Sequence, residues 1–494
     1  MSFTSHPCLS HFKLSLLLAL VILLGGCATL SRDGGFGAVA IIAKERLAKD
    51  TQWVRSESDA DGIHAIVQKH LAQPLTADDA IQIALLNNRG LQATYAEVGI
   101  AEADLVQASR LRNPVFGYAN LRGGGGAVEI DRSLGFDFLQ FLTIPLAKRI
   151  ESRRFEQIKL LVANEALRVA AETRKAYFQA VAARESVGYA EQVKTAGEAS
   201  AQLAERMARA GNFSKLDQAR EQVFYADAAA QFARAHQMAI SEREKLTRLM
   251  GLWGEDVRFQ LPERLPALPA TRPELQDLEA FAMAQRLDIQ AMRRQSEGLA
   301  SSLGLTKATR LINVLELGPA QIRSPHEPVT NGYQISIEVP LFDWGGARIA
   351  RAEAIYMQSV NRLAETAVNA RSEVRANYSD YIGTYDLAKH YRDEIVPLRK
   401  KISDELLLRY NGMLTSVFEL LADSREQVTS VNASIDALKT FWLAETELQM
   451  ALGGRLPTAA MSNTPAADVP PPTRVKPAKP DMDADPHSQH RKGN

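Results

Sequence analysis

The sequence predicts a mainly α protein with a small β part, organised around long antiparallel coiled-coil helices, and three observations carry that expectation. A seven-residue apolar spacing runs from Ile349 to Ile402, one line being Val360, Ala367, Val374, Tyr381, Ala388, Ile395 and Ile402. One plan of strand, proline, long helix, glycine turn and short helix occurs twice, with the copies offset by roughly 200 residues. Between the helices, Tyr333, Ile335, Ile337 and Val339 alternate with Gln334, Ser336 and Glu338, which is the pattern of a two-faced strand.

Lys13 precedes an apolar run from Leu14 to Leu24 that is short for a membrane span and ends in Leu24-Gly25-Gly26-Cys27. Residues 1–26 are therefore an export signal. Its ending resembles the bacterial lipoprotein processing site, which makes Cys27 the expected lipidation site and residues 27–74 an N-terminal lipid-anchored linker. Ala28 and Thr29 follow the cysteine in place of the acidic residues that favour inner-membrane retention in such lipoproteins, so the expected location is the outer membrane. The only other cysteine is Cys8, inside the signal, so no disulfide and no cysteine metal cage is available after cleavage.

The first copy of the plan is expected over 75–260. A helix-like stretch from Ala80 to Arg112 runs into Asn113-Pro114, strand-like pieces surround Gly123 to Gly126, and Pro145 opens a long helix ending near Gly211. The stretch Gly135 to Ile144 reads as the first-copy counterpart of the strand before Pro340. A shorter helix from Phe213 to Met250 closes the copy. Pro262, Pro266, Pro269 and Pro273 mark a linker over 261–274. The second copy occupies 275–456, where a continuous helix from Trp344 to Tyr410 would reach about 100 Å at roughly 1.5 Å per residue. Pro397 inside it should bend the distal end. The tail, 457–494, holds eight of the 21 prolines and is expected to be disordered.

Each rod reverses at a glycine turn, where Arg209-Ala210-Gly211-Asn212 parallels Arg409-Tyr410-Asn411-Gly412. Ser214 and Thr415 or Ser416 are the expected N-caps of the returning helices. Capping alone accounts for these residues. Turns of this kind also form exposed hairpin tips where a partner protein could dock.

Composition excludes several functions. With 58 basic and 58 acidic side chains the net charge is zero, so no global field draws the chain to nucleic acid. Outside the N-terminus no tract has the roughly 20 apolar residues of a helical membrane span. There is no phosphate loop, no zinc-protease motif and no nucleophile elbow, so neither enzyme, cofactor nor metal site is expected. The strand before Pro340 fits either a half-buried soluble sheet or a membrane barrel with lipid outside and water inside.

The run Val339-Pro340-Leu341-Phe342-Asp343-Trp344-Gly345-Gly346, together with Leu86-Asn87-Asn88, Arg112-Asn113-Pro114 and the tip Arg409-Tyr410-Asn411-Gly412, resembles the TolC-type outer-membrane efflux proteins, in their lipid-anchored (NodT-like) branch. The resemblance covers most of the chain. It implies a homotrimer in which each subunit lends four strands to a 12-stranded transmembrane β-barrel and its long helices to a periplasmic α-barrel. It further implies a passive conduit for drugs or metal ions handed over by an inner-membrane pump and a periplasmic adaptor. The adaptor-docking tips would be Arg209, Gly211, Asn212, Arg409, Tyr410 and Gly412. An acidic pair narrows the entrance in the family. Glu419 falls at its first position, Ala422 departs from the second, and Asp423 lies beside it. An ordinary solvated helix face is the competing reading of Glu419. The alternative for the whole chain is a lipid-anchored periplasmic scaffold or adaptor without a pore, although no lipoyl-like β domain interrupts the helices.

Overall fold

The computed structural model describes residues 29–123, 128–272, 275–311, 314–325 and 327–456. The expected signal, Cys27 and the tail 457–494 lie outside the described residues.

The segment expected as a linker is folded. Helices α1 (Gly37–Leu47) and α2 (Glu57–Leu71) seat Phe36, Val39, Ile63 and Val67 in the core. Helix α2 starts in a capping box in which Ser56 and Asp59 satisfy each other's backbone N–H groups. This is a correction to the linker reading of 27–74, and its physical basis is apolar burial that composition alone did not reveal.

The helix expected over Ala80–Arg112 is two helices, α3 (Ala77–Asn87) and α4 (Arg89–Ala108), broken at Asn88 with φ −64° and ψ 116°. The second copy breaks at the same place. There α7 (Leu278–Gln285) and α8 (Leu287–Ala308) are parted by Arg286 with φ −64° and ψ 125°. Both breaks are pinned by the end of the copy's last helix. Asn87 donates to the carbonyls of Met250 (3.1 Å) and Gly251 (2.8 Å), and Arg286 to that of Ala451 (3.4 Å). Gly251 and Gly453 hold positive φ there, and a Cβ on either would press on the carbonyl of Asn87 or Gln285.

Four strands follow the order β1 (Val115–Arg122), β2 (Val128–Asp137), β3 (Leu315–Arg323) and β4 (Thr330–Ile337), and they form one antiparallel sheet in chain order. The hairpins of the two copies pair through β2 and β3, leaving β1 and β4 as edges. The register fixes two faces. Phe116 opposes Leu134, Phe136 opposes Leu317, Leu317 opposes Ile335, and Pro319 opposes Tyr333, so the half of one face nearest the helices is apolar. On the other face Gly117 opposes Ser133, Ala119 opposes Asp131, Asp137 opposes Glu316, and Glu316 opposes Ser336. The exposed Tyr333, Ile335 and Ile337 match the alternation read in the sequence.

Helix α5 (Phe138–Arg209) is one 72-residue rod, roughly 110 Å long at about 1.5 Å per residue. It begins at Phe138, so the strand ends at Asp137 and does not run to Ile144, and Pro145 lies inside the helix instead of opening it. Asp137 sets the start by accepting the Gln140 N–H at 3.1 Å. Helix α6 (Lys215–Met250) returns along it.

In the second copy α9 (Gly346–His390) passes through a single π turn, Tyr391–Ile395, into α10 (Val396–Asn411), and α11 (Val417–Ala451) returns. The π turn sits just before Pro397 and widens the backbone where the proline ring would crowd the carbonyl four residues back. The heptad lines are buried by this chain only in the middle, at Ala370, Val374, Tyr381 and Ala388, whereas Val360, Leu398 and Ile402 are exposed. Phe178 stacks on Trp442 at 5.2 Å and joins the copies. The linker segment lies in the same seam, where Pro266 accepts from the Trp442 indole (3.1 Å) and Pro269 from the Tyr385 hydroxyl (3.1 Å). Among the described residues no helix is long and apolar enough to cross a membrane.

Candidate functional site

The two hairpin tips have one backbone design. At the first, Gly211 adopts φ +77°, its N–H donates to Ala208 (3.1 Å) and the Asn212 N–H to Met207 (3.0 Å). At the second, Met413 adopts φ +58°, its N–H donates to Tyr410 (3.0 Å) and the Leu414 N–H to Arg409 (2.8 Å). Both are Schellman turns, which satisfy the last carbonyls of a helix through a left-handed residue. The geometry aligns Gly211 with Met413, so the sequence match of Arg209 to Arg409 is out of step by two residues. Gly412, with φ −82°, is still on the helix side of the turn and is not its left-handed residue. Arg209 and Arg409 each pair with a glutamate one turn back, Glu205 at 3.4 Å and Glu405 at 3.2 Å.

The returning helices also begin alike. Ser214 accepts the Asp217 N–H at 3.1 Å and Ser416 accepts the Glu419 N–H at 3.4 Å. The Thr415 hydroxyl donates to the Glu419 carboxylate. Exposed apolar side chains crown the second tip, where Met413 is 93% and Leu414 81% exposed.

Glu419 and Asp423 are one turn apart on α11, but the structure treats them differently. Glu419 is exposed. Asp423 is 7% exposed, and its Oδ2 has no hydrogen-bond partner among the described residues. Asp423, expected at the entrance, is buried in this chain, on a helix that packs against α5, α9 and α10.

The polar contact that ties this lower region together was not visible in the sequence. Glu221 of α6 is buried, accepts from the Ser200 hydroxyl of α5 at 2.8 Å, and lies 3.7 Å from the guanidinium of Arg425 of α11. That guanidinium also rests on the Phe224 ring, 4.9 Å from its centre. A lone glutamate in an Ala-rich helix carries no sequence mark of such a partner. Beside it a groove of about 690 Å³ runs between α6 and α11, walled by Leu216, Val223, Phe224 and Val428. Among the described residues no group of three or more His, Cys, Asp and Glu side chains is placed to hold a metal ion.

No protein-family model and no curated protein sequence matches the chain. Solved structures do. The outer-membrane channel OprN aligns over 82% of this chain and 94% of its own at 19% identity and a TM-score of 0.65. The outer membrane protein VceC of Vibrio cholerae aligns over 80% and 97% at 14% identity and 0.63. The MtrE outer membrane channel of Neisseria gonorrhoeae, in its open state, aligns over 76% and 88% at 18% identity and 0.63. These likenesses show a shared fold, a four-stranded sheet mounted on long helical rods. The chain has that fold, in the TolC-type arrangement that its sequence motifs resemble.

Proposed function

We propose that the chain is one subunit of an outer-membrane efflux channel, and the observation that carries the reading is the two-faced, open-edged sheet. The near half of one face exposes Phe116, Tyr333, Ile335 and Ile337, while the other face carries Glu316 in its near half and Glu129 and Asp131 farther out. Such a sheet is suited to lipid on one side and water on the other. Among the described residues strands β1 and β4 have no outer neighbour, and unpaired edge groups in hydrocarbon would cost several kcal/mol each. Four strands cannot enclose a water-filled lumen, so the barrel must be completed by further copies. Three copies give twelve strands, the count implied by the sequence resemblance.

In this reading the long helices continue the conduit into the periplasm, and Cys27 tethers the subunit to outer-membrane lipid. The tips at Gly211 and Met413 meet a periplasmic adaptor, which couples the channel to an inner-membrane pump. The exposed Met413 and Leu414 supply apolar contact area at the second tip, with Arg409 and Tyr410 next to them in sequence, and Arg209 and Asn212 present polar groups at the first. Glu419 places a carboxylate near the entrance, where three copies would favour cations. Transport is passive and no bond is made or broken. Drugs or metal ions are the proposed cargo, with selection left to the pump.

The test is conductance. Purified full-length protein added to a planar bilayer is expected to give discrete current steps. A membrane that stays insulating while the protein is folded overturns the channel reading in favour of a poreless periplasmic scaffold.

A further inference from the structure

The four strands carry seven charged side chains, and the register sorts them by sign. Glu129, Asp131, Asp137 and Glu316 share the polar face. Arg122, Arg132 and Arg323 share the opposite one, whose near half is apolar. The arginines all lie in the half remote from the helices. Arg122 is the last residue of β1 and Arg323 the last of β3, while Arg132 stands between Tyr118 and Gln321. All three are exposed, and among the described residues none of their guanidinium groups makes an ion pair or a hydrogen bond. The strand carboxylates cannot reach them, because they point through the sheet to the other side.

Arginine on the lipid-facing wall of a barrel is costly in hydrocarbon and favourable where headgroups begin. An anion must then meet it. Arg323 opposes Ile130, two residues from Arg132 on β2, so the two guanidinium groups are diagonal neighbours with Cα atoms about 7–8 Å apart. Two long side chains at that separation can converge on one tetrahedral oxyanion, and guanidinium matches phosphate through paired N–H donors. Asn331, which opposes Gln321, adds an amide in the same tier, and Arg122 lies one strand over at the rim.

We propose that Arg132 and Arg323, with Arg122 beside them, bind the phosphate of a lipid headgroup in the outer leaflet. The site rests on the reading of the sheet as membrane-spanning, and continuity with the apolar near half is what assigns the phosphate to a lipid. The charge match supplies the affinity, and the apolar wall below would hold the acyl chains.

The test uses full-length protein in phosphatidylcholine vesicles doped with diphosphorylated lipid A or with its phosphate-free form, with lipid retained after extraction measured by native mass spectrometry. Wild type is expected to retain the phosphorylated lipid and to shed the other. R122Q/R132Q/R323Q should weaken retention on the order of 100-fold and R323Q alone about fivefold, while triple Arg→Lys should retain most of it. E129Q/D131N, on the opposite face, should change nothing. Equal retention by the triple Gln variant, equal retention of the phosphate-free lipid, or displacement by inorganic phosphate overturns the proposal. If the triple variant fails to assemble, R323Q decides in the same way. Conductance of the same vesicles separates the two readings. Conducting protein without lipid selectivity ends this inference alone, whereas non-conducting wild type ends the channel reading with it.

Discussion

Met413 is the residue at which local preference and position disagree most plainly. A left-handed residue other than glycine costs about 1 kcal/mol or more, yet Gly412 stands one position too early to relieve it. Met413→Gly is therefore expected to stabilise the second tip by about 1 kcal/mol, read as slower amide exchange of Met413 and Leu414. If the side chain, almost wholly exposed, is held out for an adaptor, export should fall in the same variant, and unchanged export removes Met413 from docking. Tyr177 gives a pH signature. Burial, and then the charge of Asp79, push its phenol up to about 12, while its hydroxyl donates to the Leu75 carbonyl at 3.0 Å. The neutral form is favoured by folding, so this stabilisation is complete below the ordinary tyrosine value of about 10 and is lost as the pH rises through about 12. Thermal unfolding of Tyr177→Phe should fall less steeply than wild type across that window. Tyr381, also pushed up to about 12 by burial and then by Glu445, leaves a residual slope in the variant.

At the scale of elements, what could be read from sequence depended on whether local pattern and tertiary contact agreed. The strand at Tyr333–Ile337 is legible because strict alternation marks a two-faced strand, and the caps are legible because capping is a local bond, with the structure choosing Ser416 over Thr415. The stretch Gly135–Ile144 was not. A short apolar run fits a strand or a buried helix equally, and the boundary was set by Asp137 capping Gln140. The breaks at Asn88 and Arg286 were equally hidden, since their bonds run to the far ends of α6 and α11. The tip register is hidden in the sequence because the two copies share backbone conformation there and not the position of the arginine. Of the candidate site, the exposure of Glu419 fits an entrance and a solvated helix face alike, while Asp423 and the Glu221–Arg425 contact depend on how helices face one another. Pro397 is expected from sequence to bend its rod, and what the structure has there is the preceding π turn. Pro397→Ala restores the missing donor and removes the ring, so Tyr391–Ile395 should revert to α-helix. Amide exchange across 391–397 is expected to slow, and unchanged protection would mean that the turn is held by its neighbours.

For the whole molecule the decisive quantity is the pairing of edges. A sheet ordered β1-β2-β3-β4 has one exposed ladder at each side, and a closed barrel of identical copies requires β1 of one subunit to pair with β4 of the next. The polar face sets which positions can be joined. Ala119 lies on it in β1, and Gly332, Gln334 and Ser336 lie on it in β4. Cysteines placed there would face water in the lumen and be open to an oxidant, and a signal-cleaved chain offers no competing thiol except at Cys27. Opposite residues of neighbouring strands approach closely enough for a disulfide, whereas a slip of two residues does not. Ala119→Cys combined in turn with Gly332→Cys, Gln334→Cys and Ser336→Cys should therefore give strong cross-linking in one pair and weak in the others. The product should be a covalent ring of three subunits that runs as a trimer on denaturing gels and still conducts. Cysteines on the apolar face, at Tyr118 and Tyr333, should link poorly under a water-soluble oxidant. Cross-linked dimers that never close, or conduction with no pairing at any β4 position, would show that the edges are sealed in some other way and that the barrel is not built by strand sharing.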